Sequence, residues 1–209
     1  MTAEKIRAEH ARKGVSGKFS AIYLDQPLPR QLSLIRTILP RTDNVGILLG
    51  PSTQQQGPAL SETARQLGFN PQLEYVGNER ELVPGLRRTL NDSGVLLALP
   101  DPLVYNRETA QTILLTSYRH EKPVIGFSQA YVKAGALAAV FSSPAQIARQ
   151  AAEIVREALS AQKIMLPEAQ YPKYFSVDAN PQVARSLGLN FEEESAIHEK
   201  LLKIERVSP

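Results

Sequence analysis

Short apolar runs alternate along this chain with longer segments whose apolar residues recur every three or four positions. Such alternation predicts βα units, and hence a mostly parallel sheet with helices on both faces, an α/β fold. The strand-like runs are Phe19 to Leu24, Asn44 to Gly50, Leu73 to Val76, Val95 to Leu99, Val124 to Phe127, Leu137 to Phe141 and Tyr174 to Asp178. Between them, Leu28, Leu32, Ile35 and Leu39 share one helical face until Pro40 ends the segment, and Leu60 to Leu67 forms a helix that Gly68 stops. Glu79 to Leu90 is helical in period but holds Pro84-Gly85, a conflict that vanishes if Pro84 lies in the first turn. Helices are also expected over Asn106 to Tyr118, Pro144 to Leu159 and Pro181 to Leu187, the last closed by Gly188. Lys163 to Pro172, without period and bounded by prolines, reads as a linker.

Three of the apolar runs end alike: residues 45–50 pass into Pro51-Ser52-Thr53, 95–99 into Pro100-Asp101-Pro102, and 124–127 into Ser128-Gln129. In an open parallel sheet, ligands bind outside the carboxyl ends of the strands, so these turns are candidate site loops. Ser52 and Thr53 offer hydroxyls and, if a helix starts near Thr53, free N–H groups for a carboxylate or other anion, although helix capping uses the same atoms. Asp101 could accept from a ligand amino group or simply form a turn. Tyr105 and Asn106 follow closely, Asn106 also being a natural N-cap. Ser128, Gln129 and Tyr131 follow the fifth run, Tyr131 with an apolar face and a polar tip. Together these eight residues are expected to make one concave binding edge rather than a scatter of caps.

Composition narrows the chemistry. The 209 residues, 43% of them hydrophobic, suffice for a normal core. No apolar run approaches the ~20 residues of a membrane span, and the first residues lack the apolar stretch of an export signal. The absence of cysteine excludes disulfides, thiolate catalysis and cysteine metal sites without choosing a compartment. His10, His120 and His198 lie far apart in sequence, hydrolase and zinc-protease signatures are missing, and residues 50–57 lack the Gly-Lys-Ser/Thr ending of a phosphate loop. No catalytic set, metal site or cofactor is therefore expected. The net charge is only +3. Its excess lies in a basic segment, residues 1–18, without the interleaved aromatics of a nucleic-acid arm, so no nucleic-acid partner is expected. Residues 190–209 form a charged tail that opens acidic, can make one terminal helix and reads as a surface appendage.

The ordered set SAIYLDQP at 20–27, VGILLGP at 45–51, ALPDP at 98–102, PVIGFS at 123–128, VKAGAL at 132–137, QIARQ at 146–150 and VDANPQVARSLG at 177–188 resembles ABC-transporter substrate-binding proteins of the tryptophan/tyrosine-binding type. The likeness covers Phe19 to Leu189. It implies a type 1 periplasmic-binding-protein fold, a small amino-acid-like solute bound without catalysis, an ABC permease as partner and a place outside the cytoplasm. It further implies that Ser52, Thr53, Asp101 and Ser128 face the solute cleft from the second lobe. About a hundred residues that build most of the first lobe in that family have no counterpart here, so residues 19–189 are expected to form the second lobe plus a remnant of the first. Weak or absent ligand binding follows for half a cleft. The helix at 144–159, which packs on the first lobe in the family, would need another partner, within the chain or in a homodimer. The alternative reading is a regulatory or protein-interaction domain that kept the sheet and lost transport.

Overall fold

A computed structural model describes residues 19–160, 166–190 and 192–207. The basic segment 1–18 and the start of the expected linker, 163–165, lie outside the described residues. The chain divides into two compact units, Met1–Gln26 with Ser142–Ser176, and Pro27–Phe141 with Val177–Pro209.

A six-stranded sheet is formed by β1 (Asn44–Leu49), β2 (Asn70–Tyr75), β3 (Val95–Leu97), β4 (Val124–Gly126), β5 (Ala138–Phe141) and β6 (Ser176–Ala179), in the order β2-β1-β3-β4-β5-β6. The pairings β1 with β2, β1 with β3, β3 with β4 and β4 with β5 are parallel. Central β1 is buried from Val45 to Leu49, as a strand covered on both faces must be. Edge strand β2 is only partly buried and tolerates Pro71, whose missing donor costs nothing at an edge.

Around the sheet run α1 (Leu28–Ile38), α2 (Gly57–Gln66), α3 (Glu79–Asp92), α4 (Arg107–Arg119) and α5 (Gln129–Ala134). In the smaller unit lies α6 (Pro144–Ser160), and α7 (Pro181–Ser186) and α8 (Glu194–Val207) complete the larger one. On one face of the sheet, Leu48 and Leu96 join Leu82, Leu86 and Leu90 of α3 and Ile113 of α4 in a buried cluster. Alternation along β1 turns Ile47 and Leu49 to the opposite face. Gly68 (φ 77°) and Gly188 (φ 66°) hold the left-handed backbone expected of helix stops.

Three expectations are corrected, and one helix is added. Pro84 stands in the second turn of α3, not the first, and the helix runs through it, held by buried Leu82, Leu86 and Leu90. Phe19 to Leu24 makes no strand of the sheet. Its Ile22 forms one isolated bridge to Gln170 in the smaller unit, with Tyr23 N–H donating to Gln170 O (2.9 Å), so part of the expected linker is a pairing partner. Helix α5 is additional, and Ser128 starts it by capping Tyr131 N–H. The tail is no appendage: α8 packs on α1, Ile197 and Leu201 are 1% and 0% exposed, and Glu205 takes a forked ion pair from buried Arg30.

In the smaller unit, α6 is fastened through buried Gln150, whose amide donates to Tyr171 O (3.2 Å) and accepts from Lys173 N–H (2.7 Å). Ala158 is buried, whereas Val155 and Leu159 stand 53% and 71% exposed.

Candidate functional site

The loops after β1 and β3 are joined by one buried carboxylate. Asp101 is 2% exposed. Its Oδ2 accepts from Ser52 N–H (3.2 Å) and the Thr53 hydroxyl (3.0 Å), and its Oδ1 from Leu103 N–H (3.0 Å) and Val104 N–H (3.2 Å). A carboxylate offers about four lone-pair positions, and here four protein donors use them. Asp101 therefore acts as a clamp between loops, and the expected acceptor for a ligand amino group is spent. Gly50 is required beside it, because a Cβ there would lie 2.2 Å from Asp101 Oδ1.

Thr53 is buried, and its hydroxyl accepts from Gly50 N–H (3.0 Å) while donating to Asp101. Its own N–H donates to Gly50 O (3.0 Å), as does that of Gln54 (2.8 Å). The helix does not start at Thr53. A 3-10 turn at Gln54–Gln56 intervenes before α2, so the expected anion-holding N–H groups are satisfied inside the loop. Ser52 remains exposed at the rim.

Asn106 caps α4. Its Oδ1 accepts from Glu108 and Thr109 N–H (both 2.9 Å), and its Nδ2 donates to Pro102 O (3.0 Å). Ser128 likewise caps α5 through Tyr131 N–H (3.2 Å), while Gln129 is exposed beside it.

Tyr105 and Tyr131 are brought together with Phe127, a residue the sequence reading did not single out. Tyr105 meets Phe127 and Tyr131 edge-on at 6.2 and 6.1 Å, and Phe127 lies 5.3 Å from Tyr131. Burial pushes both phenols above their usual range, so both stay protonated. The Tyr105 hydroxyl lies near the Leu48 backbone, yet neither hydroxyl makes a hydrogen bond of ordinary geometry. Around this triad opens a groove of about 700 Å³, which Tyr105, Asn106 and Tyr131 line together with one face of α4. The spacing of Leu114, Leu115 and Tyr118 on that face was the available signal for it. Ser52, Thr53, Asp101, Ser128 and Gln129 are not among its lining residues. Among the described residues, no cluster of histidine and acidic side chains could hold a metal ion.

Several solved structures share this fold. A conserved domain protein from Vibrio cholerae is 22% identical with a TM-score of 0.65 over 84% of this chain and 59% of its own. An ABC domain in complex with L-Trp from Streptococcus pneumonia is 17% identical, with a TM-score of 0.65 and the same 84% and 59% coverage. The ligand-free, open form of a substrate binding protein with adhesive properties from Clostridium difficile is 16% identical, with a TM-score of 0.67 over 92% and 78% of the two chains. The chain thus spans 59% of the length of the first two. No curated protein sequence matches it. The fold is periplasmic-binding-protein-like, and the model of the family described as ABC transporter substrate binding protein matches residues 14–200, so the chain belongs to that family.

Proposed function

We propose that this chain is the solute-binding component, or part of one, of an ABC-type uptake transporter, taking an amino-acid-like solute without chemical change and presenting it to an ABC permease outside the cytoplasm. The family match over residues 14–200 carries this reading. Two further points support it: the L-Trp in the complex from Streptococcus pneumonia, and strand-end loops already held in place by Asp101. In this reading exposed Ser52 and Gln129 touch the solute. Thr53, Asp101, Asn106 and Ser128 position the loops, and the Tyr105 and Tyr131 rings stiffen the wall behind them. Among the described residues no helix is long and apolar enough to cross a membrane.

Because the chain covers 59% of the L-Trp-bound protein, many of that protein's residues have no counterpart, and the expected affinity is weak, with a Kd of about 1 mM. Titration with L-tryptophan and the other common amino acids, followed by amide chemical shifts, should move Ser52, Asn106, Ser128 and Gln129. Silence at all four amides with every amino acid at ~10 mM would sink the proposal. Micromolar affinity would instead overturn the expectation of a partial site.

We also propose that a second copy of the chain covers the exposed residues of α6, since Val155 and Leu159 put large apolar side chains in water. Light scattering should then give twice the monomer mass, and Leu159→Glu should restore the monomer. A monomer at all concentrations argues against the pairing.

A further inference from the structure

We propose that the groove between α4 and α5 is a second binding site, for an elongated apolar molecule carrying a single anionic head, separate from the strand-end loops around Asp101. Its volume of about 700 Å³ falls within the span of small-molecule pockets. Along α4 it is lined by Arg107, Leu114, Leu115 and Tyr118. Those positions fall on one helical face and extend over roughly 16 Å, from Arg107 beside the strand ends to Tyr118 three turns further along the helix. Phe127 and Tyr131, 5.3 Å apart, form an aromatic wall. Leu115 and Tyr118 leave 48% and 51% of their surface in water. Contiguous apolar exposure of this kind is characteristic of ligand-binding grooves.

The head group follows from charge. Among the described lining residues Arg107 alone is charged, and no carboxylate faces it across the groove. It is the first residue of α4, where the helix dipole adds to its positive field. The body follows from the remaining lining of α4, which apart from Gln111 is aliphatic and aromatic. A free amino acid fits poorly, because its ammonium group would find no acceptor carboxylate. The predicted ligand class is therefore an amphipathic monoanion such as a medium-chain carboxylate. This site does not depend on the solute reading above.

The test uses the whole chain, with anilinonaphthalene sulfonate as fluorescent probe and dodecanoate as competitor. One probe should bind per chain, and dodecanoate should displace it, whereas dodecyltrimethylammonium, equal in body and opposite in charge, should not. Arg107→Ala should weaken dodecanoate about tenfold, the loss of one charge-assisted contact, and leave dodecanol unaffected. Ala134→Trp fills the groove from α5, and Leu115→Asp places an anion in it. Both positions tolerate the change because Ala134 and Leu115 are exposed, and circular dichroism reports whether each variant is folded. Folded variants should lose probe and dodecanoate alike. The proposal is overturned if dodecanoate binds both variants as well as the parent chain, or if the cationic detergent competes equally. It is also overturned if no anion binds and Leu115→Asp instead dissociates a dimer, which would assign the groove to a second copy. Amide shifts of Ser52 and Gln129 with amino acids read the other site, so failure of either reading leaves the other measurable.

Discussion

Asp101→Ala is expected to lower the stability of the larger unit by about 3–5 kcal/mol, because it strands several donors in a buried place at once. The Ser52, Leu103 and Val104 N–H groups and the Thr53 hydroxyl all lose their acceptor. Some would find water once the loops relax, which keeps the cost below the sum of four separate losses. Asp101→Asn keeps the shape and one good acceptor but turns an NH₂ toward protein donors, so a loss of about half that size is expected. Urea unfolding measures both, and hydrogen exchange should accelerate at Ser52 to Gln54 and at Leu103 and Val104. Ser52→Ala serves as the control, since the bond from residue 52 is made by its backbone. If Asp101→Ala proves neutral within ~0.5 kcal/mol, the clamp is not what holds these loops.

Leu201→Asp should be at least as damaging, with a loss of about 4 kcal/mol or more, because it places an unpaired carboxylate where the present side chain is 0% exposed. Leu201→Ala removes only apolar contact and should cost about 2–4 kcal/mol. Lys203→Asp, at an exposed position of the same helix, should change little. Thermal unfolding of the three variants separates an integral α8 from a decorative one. Equal melting temperatures across the set would return residues 194–207 to the status of an appendage. The ion pair from Arg30 to Glu205 works in the same direction, since it ties a 6% exposed guanidinium of α1 to the last turns of α8.

Much of the architecture was legible in the order of apolar runs. A parallel strand buried on both faces needs consecutive apolar residues, and Val45 to Leu49 and Val95 to Leu97 supply them. Helix ends at Gly68 and Gly188, and the cap at Asn106, followed from local chemistry that acts within a few residues. The likeness of seven short segments, in order, also pointed to the family that matches residues 14–200. Less was legible where contacts decide. Phe19 to Leu24 has strand composition, yet its ladder is one isolated bridge, Ile22 to Gln170, beside a ring contact of Tyr23 with Tyr171. Pro84 costs one helical hydrogen bond, and three buried leucines on its helix outweigh that cost.

The candidate site divides in the same way. That Ser52, Thr53, Asp101, Ser128 and their neighbours stand at strand ends is a property of the chain alone, because period and turn residues place them there. What each atom does there is a tertiary matter. In the sequence Asp101 is open to a ligand, whereas in the fold two of its acceptor positions go to Ser52 and Thr53 and two to Leu103 and Val104. Tyr105, Phe127 and Tyr131 are separated by up to 26 positions and share no local pattern, so only the packing of β4, α4 and α5 could gather them beside one groove. The sequence by itself determined the α/β class, the strand-end loops and the family, through local periodicity and ordered short segments. The tertiary structure decided which polar groups are consumed in holding the loops, which remain at the rim, and that the tail is part of the core, because hydrogen-bond saturation and burial depend on neighbours distant in the chain.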